Sequence, residues 1–317
     1  MTDLVTAGET MLRYSPPDGE RLERADEFAV HVAGAESNVA VAAARLGLDT
    51  AWLSKLPDGP LGRRIADTLR SHGVDPAVTW ADEGRVGTYY LEPGGRQRET
   101  AVVYDRADSA VTTATVEGLA TDRLDDAAAF HTTGITPALS ATLAETTAAL
   151  LDRAQDAGAT TVFDVNYRAK LWDAAEARAT LSDLLPAVDV LVVAQRDARA
   201  VLDYDGDAEA VARDLAADYG FETTVVTRGS EGALALHEGA VHEQPAYDAD
   251  DSRPIGTGDA FVGGFLAQYL GGGDVPTALS WGAATAALKR EIRGDVALVT
   301  PAEVRAVTES DAGGIGR

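Results

Sequence analysis

Residues 256–264 read Gly256-Thr257-Gly258-Asp259-Ala260-Phe261-Val262-Gly263-Gly264. The first two glycines let the backbone bend tightly and approach a ligand. Phe261, Val262, Phe265, Leu266, Tyr269 and Leu270 follow at helical spacing, so a buried helix is expected over Gly258–Leu270. Its first amides, from Thr257 to Ala260, have no partner inside the helix. With the helix dipole they make an anion site. Asp259 places a carboxylate inside that site. An acid facing an incoming phosphate is costly unless it serves, and taking the proton of an attacking hydroxyl is such a service. From these letters alone, an ordinary helix start with Asp in its first turn reads equally well.

Two rival motifs fail on the letters. A dinucleotide fingerprint needs a third glycine where Phe261 stands, and a strand before the turn; the preceding run, Asp248 to Arg253, is polar. A Walker A loop needs Gly-Lys-Ser/Thr. The chain has three lysines, Lys55, Lys170 and Lys289, and none follows a glycine.

With 317 residues, 45% of them hydrophobic, the chain can build a large core. Cysteine is absent, which excludes disulfides and thiolate chemistry. No signal peptide or membrane-length apolar run is read, so a cytoplasmic protein is expected. The balance of 51 acidic and 27 basic residues gives a formal net charge of −24. Nucleic acid and anionic membranes are therefore poor partners. The acids sit singly on helices rich in Ala and Leu, as in Asp207–Tyr219, and the basic residues are nearly all Arg. This composition suits high salt, where surface self-repulsion is screened. A halophilic origin is expected.

The element order is mostly strand then helix. Strands are expected at Leu4–Ala7, Thr50–Ser54, Ala128–His131, Thr161–Phe163, Val188–Val193 and Thr224–Val226. Helices are expected at Glu36–Leu46, Leu61–His72, Ser140–Ala157, Gly258–Leu270 and Thr277–Ile292. Such alternation argues for an α/β fold with a mostly parallel sheet and helices on both faces. Segments 11–32 and 87–104 break the pattern with short alternating runs. They read as a small antiparallel β-sheet with polar faces, a lid inserted in a single domain over residues 1–317. The tail from Thr308 is polar and Gly-rich and is expected to be loose.

A second motif, Val32-Ala33-Gly34-Ala35-Glu36-Ser37-Asn38-Val39-Ala40, opens the first long helix. Gly34 permits close approach, and Asn38 offers a donor and an acceptor to sugar hydroxyls. A plain helix start is the alternative. Together, Gly34-Ala35-x-x-Asn38 and Gly256-x-Gly258-Asp259 resemble the two signatures of ribokinase-like carbohydrate kinases, the phosphofructokinase B family. The resemblance runs from Gly8-Glu9 to Arg293-Gly294-Asp295. It implies a ribokinase-like domain with a β-sheet lid, ATP as phosphoryl donor with Mg²⁺, and Asp259 as the base. The amides of Gly256, Thr257 and Gly258 would form the anion hole.

The segment Asp164-Val165-Asn166-Tyr167-Arg168-Ala169-Lys170-Leu171-Trp172 resembles that of 2-keto-3-deoxygluconate kinases. So do Tyr104-Asp105-Arg106, Gly87-Thr88-Tyr89 and Gly134-Ile135-Thr136-Pro137-Ala138-Leu139. Their substrate is a sugar acid, whose carboxylate suits a planar bidentate donor. The resemblance thus implies Arg106 and Arg168 as a carboxylate clamp, with Gly34, Asn38, Tyr89, Tyr104 and Asn166 along the carbon chain. For either arginine, pairing with a surface acid is the alternative.

The run Val225-Val226-Thr227-Arg228-Gly229-Ser230-Glu231-Gly232 resembles the segment that lies along ATP, with Thr227, Gly229, Ser230 and Gly232 as contacts. The family's Asn-x-x-Glu segment, which organises Mg²⁺, is degraded to Ala194-Gln195-Arg196-Asp197. Asp197 stands in for its Glu, acting on the metal through water. Relatives often hold a monovalent cation with an Asp where this chain has Arg253, which argues against strong cation activation. His237 and His242 are five apart, not the four of a zinc-protease helix.

The expectation is an ATP-dependent kinase that phosphorylates 2-keto-3-deoxygluconate at its C6 hydroxyl, acting as a homo-oligomer. A kinase of neutral sugars such as fructose or ribose is the first alternative. A sugar-acid-binding regulator without catalysis is the second. The composition generates a direct test. The melting temperature should rise with KCl from roughly 0.1 M to 2 M, as screening relieves repulsion among surface acids. A flat or falling melting curve would contradict adaptation to salt.

Overall fold

The computed structural model describes residues 2–94, 97–249 and 254–312. The chain runs β1 (Thr2–Ala7), β2 (Met11–Ser15), β3 (Ala29–Ala33), α1 (Ala35–Arg45), β4 (Thr50–Pro57), α2 (Pro60–Ser71), β5 (Val74–Ala81), β6 (Thr88–Glu92) and β7 (Ala101–Asp105). It continues β8 (Ala127–Thr133), α3 (Ala141–Asp156), β9 (Thr160–Asp164), α4 (Ala174–Leu184), β10 (Val190–Ala194), α5 (Gln195–Leu202), α6 (Ala208–Tyr219) and β11 (Thr223–Thr227). It closes with β12 (Ala233–His237), β13 (Ala240–Gln244), α7 (Thr257–Tyr269), α8 (Val275–Glu291) and α9 (Pro301–Ala312).

A nine-stranded sheet has the order β13-β12-β11-β10-β9-β8-β1-β4-β5. From β11 to β5 every pair is parallel. Its strands are apolar on both sides because both faces are covered. Val5, Phe130, Phe163 and Leu191 pack toward α3 to α6. Leu4, Ala129, Val162 and Val190 pack toward α1, α7 and α8. After β1 the chain builds β4 and β5 on one side, then returns to β8 on the other. The switch point beside β1 leaves a crevice at the strands' C-terminal ends, where α/β sheets bind ligands.

The second sheet has the order β3-β2-β6-β7. Its outer pairs are antiparallel, as expected, while the central pair β2–β6 is parallel. Two hairpin-like halves, drawn from separate insertions, therefore meet side by side. Its faces are more apolar than expected. Met11, Ala33, Tyr89 and Leu91 form one buried cluster. Tyr14 and Tyr90 stack at 5.4 Å.

One other expectation is corrected. The tail is helical to Ala312 rather than loose from Thr308. Val304 is fully buried and Arg305 lies 6.0 Å over Trp281, so docking onto α8 holds α9 in place. Residues 313–317 lie outside the described chain. The His237–His242 stretch is a hairpin, with Glu238 at φ 49° and Gly239 at φ 79°. Two successive positive φ values make the tight turn that matches strand twist. Among the described residues no helix is long and apolar enough to cross a membrane.

Helix α7 lies between α1 and α8 at backbone-contact distance. A Cβ at Gly263 would sit 2.4 Å from Ala42 Cβ, and one at Gly264 would sit 2.5 Å from Thr285 Oγ1. Replacing Gly263 by Val should therefore overpack the α1–α7 contact and cost about 1–3 kcal/mol. Urea midpoints check this, and an unchanged midpoint would mean that the helices part freely.

Candidate active site

The crevice is a cavity of about 780 Å³ walled by the ends of β1, β8, β9, β10 and β11, by the start of α7, and by the small sheet. Gly256 caps the start of α7, and its φ of 75° is left-handed. A Cβ there would lie 2.0 Å from the Asp295 carbonyl, so only glycine fits this turn. Gly258 has no such constraint. Its backbone is not left-handed, and a Cβ there would meet nothing within 4 Å. Its lack of a side chain leaves the cavity floor open.

The free amides differ from the expected span. Thr257 N–H donates to the Pro254 carbonyl at 3.3 Å, and Ala260 N–H to the Gly256 carbonyl at 2.9 Å. The amides of Gly256, Gly258 and Asp259 meet no acceptor among the described residues. They are the donors available to an anion. Arg253, expected beside this turn, lies outside the described residues.

Asp259 stands on the first turn of α7 and faces the cavity. Asn38, on α1, donates Nδ2–H to its Oδ2 at 2.7 Å. Asn38 Oδ1 is buried without a partner among the described residues. Asn38 therefore orients the aspartate with one atom and keeps an acceptor for a hydroxyl with the other. Burial pushes the Asp259 carboxyl up to about 6, against the pull of the Asn38 hydrogen bond and of the Arg168 charge. Asp164, at the end of β9, lines the same cavity, and burial pushes it up to about 7, helped by the charge of Asp259.

The two arginines are placed differently. Arg106 is bonded to Glu9 and lies 5.4 Å over the Tyr104 ring. Glu9 is buried, so the partner is not the surface acid of the alternative reading. Arg168 lines the cavity with no carboxylate within 4 Å among the described residues. Among the described residues its one hydrogen bond is a long contact from Nη1 to the Tyr167 carbonyl at 3.5 Å. Asn166 holds a left-handed turn at φ 37°, with its amide donating to Asp164 Oδ1 at 3.1 Å. That turn aims Asn166 and Arg168 along the cavity.

Tyr89 and Tyr104 reach the cavity from the small sheet, with ring centroids 5.7 Å apart. The Tyr89 hydroxyl donates to Asp295 Oδ1 at 3.3 Å, and Arg13 pairs with the same oxygen at 3.2 Å. Gly34 and Thr227 also line the cavity. Gly229, Ser230 and Gly232 do not; they form the turn between β11 and β12. A Cβ at Gly232 would lie 2.0 Å from the Gln244 carbonyl, so packing against β13 accounts for that glycine. Asp197 is buried at the cavity edge, 3.4 Å from Arg196 Nε, and burial raises its pKa.

Sequence reasoning did not assign Glu9, Arg13, Glu36, Asp164 or Asp295 to the site. Glu36 is buried and accepts from Thr133 Oγ1 at 2.7 Å and Thr136 Oγ1 at 2.8 Å. Glu9 and Asp164 carried a usable signal, since each is a carboxylate at the end of an apolar parallel strand. Arg13 and Asp295 carried none, because their pairing joins β2 to the segment between α8 and α9.

A profile of the pfkB family carbohydrate kinases matches residues 1–301. A 2-dehydro-3-deoxygalactonokinase of Haloferax volcanii is 59% identical over 315 residues, 99% of each chain. A 2-dehydro-3-deoxygluconokinase of Thermoproteus tenax is 32% identical over 311 residues, 96% of this chain and 93% of its own. The crystal structure of a 2-dehydro-3-deoxygluconokinase from Thermotoga maritima has a TM-score of 0.92 at 34% identity, covering 97% of this chain and 98% of that one. The halophilic reading of the composition agrees with the Haloferax relative. The shared architecture and the match over nearly all its length establish that the chain belongs to the pfkB family of carbohydrate kinases.

Proposed function

We propose that the protein transfers the γ-phosphoryl group of ATP to the C6 hydroxyl of a 2-keto-3-deoxy-hexonate. The observation that carries this reading is Arg168, a guanidinium facing the cavity with no carboxylate within 4 Å in an acid-rich chain. A neutral sugar leaves such a charge without a counterpart, whereas a sugar carboxylate supplies one in bidentate geometry. The relatives named above differ in sugar epimer. The 59% identical one favours the galactonate form over the gluconate form.

The hydroxyl oxygen attacks the γ-phosphorus as the bond to the β-phosphate bridging oxygen breaks, and ADP leaves. Asp259 takes the hydroxyl proton. The free amides at the start of α7 stabilise negative charge on the transferring group. Arg168 holds the substrate carboxylate. Tyr89, Tyr104 and Asn166 border the carbon chain, and the small sheet excludes water. ATP lies toward Thr227. The residues fit a Mg²⁺ that comes with the nucleotide: Asp197 and Asp164 line the cavity and would hold it through water, while no cluster of three ligating side chains exists among the described residues. Mg²⁺ would neutralise phosphate charge.

A coupled ADP-release assay with both ketodeoxy-hexonate epimers, fructose and ribose tests the assignment. Turnover of a neutral sugar above either acid would overturn it.

Asp259→Asn should lower kcat on the order of 10²–10⁴-fold with MgATP affinity nearly unchanged. A variant that keeps more than about a tenth of wild-type kcat would remove Asp259 from the base role. Because the base must be deprotonated and burial raises its pKa, kcat/KM should fall as pH drops through about 6. An acid limb near pH ~4 instead would indicate an unperturbed carboxylate.

Arg168→Ala should raise KM for the sugar acid about 10–150-fold and leave KM for ATP near wild type. Arg106→Ala should act on stability first, since it leaves Glu9 buried without its partner at a cost of about 3–5 kcal/mol. Substrate titrations and urea melts separate the two. Equal KM effects with equal stability would return Arg106 to the carboxylate clamp.

A further inference from the structure

Lys289 is the one lysine of three that lies in the interior, on α8 with 0% exposure. An ammonium stripped of water is retained where polar groups replace its hydration shell. Two of the replacing groups here are backbone carbonyls. Nζ donates to Gly294 at 2.9 Å and to Ile292 at 3.3 Å. Backbone carbonyl oxygens are also the ligands that strip and hold alkali-metal ions.

The position of this ammonium gives it consequence. The carbonyls belong to the segment that leads from α8 to Asp295, and the Asp295 carbonyl packs against Gly256. A Cβ at Gly256 would lie 3.3 Å from Lys289 Cε. The lysine stem therefore runs directly beneath the left-handed residue that starts α7. Burial raises the carboxyl pKa at both Asp259 and Asp295. Lys289 opposes that rise at each, after Asn38 and Arg168 at Asp259 and after Arg13 at Asp295. The charge thus reaches the amide-lined turn and the proposed base from behind, without touching substrate.

We propose that Lys289 is a tethered cation, a positioning residue whose carbonyl-bound ammonium does beside the Gly256 turn what a dissociable alkali-metal ion would do. The inference rests on the phosphate-binding role given to that turn under the proposed function. It places a fixed charge on α8, whereas the sequence argued against strong cation activation from Arg253 alone. The enzyme then has no need to select between K⁺ and Na⁺. Removing the ammonium takes its donor from the carbonyls of Ile292 and Gly294, and an alkali ion is the replacement that such oxygens accept.

The test compares wild type, Lys289→Met and Lys289→Gln in choline chloride, NaCl and KCl at equal molar ionic strength. Wild-type rates should agree within about twofold across the three salts. In choline chloride both variants should lose about tenfold or more in kcat and in MgATP affinity, and KCl should restore most of both losses. Melting temperatures in the same salts separate loss of fold from loss of the charge. A wild type about tenfold faster in KCl than in choline chloride overturns the proposal. So do folded variants with wild-type kcat and MgATP affinity in choline chloride, and folded variants whose losses no alkali ion repairs. If neither variant folds, the wild-type salt comparison alone decides. MgATP affinity is measured without sugar, so a wild type that phosphorylates no sugar acid overturns the proposed substrate and leaves this inference standing.

Discussion

The hydrogen bond from Asn38 to Asp259 joins residues 221 positions apart and couples the two halves of the site. It exists because α7 touches α1 backbone to backbone at Gly263. A side chain at that crossing would move the first turn of α7 away from α1 by more than a hydrogen bond tolerates. The aspartate would then lose its orienting donor, and the amides beside it would point elsewhere. The rest of the cavity is arranged around this crossing. The parallel strands bring Asp164, Asn166 and Arg168 to it from β9, and the small sheet closes over it from β2, β3, β6 and β7.

Charge is the second organising constraint. In a chain of net charge −24, the cavity still collects Asp164, Asp197, Asp259 and Glu36, and burial raises the pKa of each. A helix terminus supplies at most about 2 kcal/mol toward an anion. Two unit charges 4 Å apart in an effective dielectric of 20 interact by about 4 kcal/mol. A fixed guanidinium or ammonium group at that distance therefore outweighs a helix terminus. Arg168 supplies positive charge from the cavity side, and Lys289 supplies it from behind the turn.

Much of the fold was legible because buried parallel strands leave continuous apolar runs and amphipathic helices leave a period. The expected start of α7 differs from the observed one by a single residue. The segments harder to read were those whose order comes from contact. Residues 308–312 are polar in sequence yet helical, because Val304 and Arg305 anchor α9 on α8. The small sheet was visible as two interruptions, but the parallel pairing of β2 with β6 depends on how separate insertions meet. Asp259, Asn38 and Arg168, singled out from local motifs, line one cavity. The divergence of Arg106 from Arg168 was not legible, because Glu9, 97 positions earlier, takes up Arg106.

The sequence by itself determined which chemistry was at hand. It specified a glycine-led helix start bearing an aspartate, arginines in an acidic chain, no cysteine, and a strand–helix alternation that compels a parallel sheet. These are properties of neighbouring residues, and local sterics and periodicity express them without the rest of the chain. Only the tertiary structure decided which charges are already spent. Arg106 and Arg13 are paired across elements, Arg168 faces the cavity, and Lys289 is buried against two carbonyls. Pairing depends on distances of a few ångströms between segments far apart in sequence. Those distances are set by helix crossings and sheet order, which no single stretch of the chain contains.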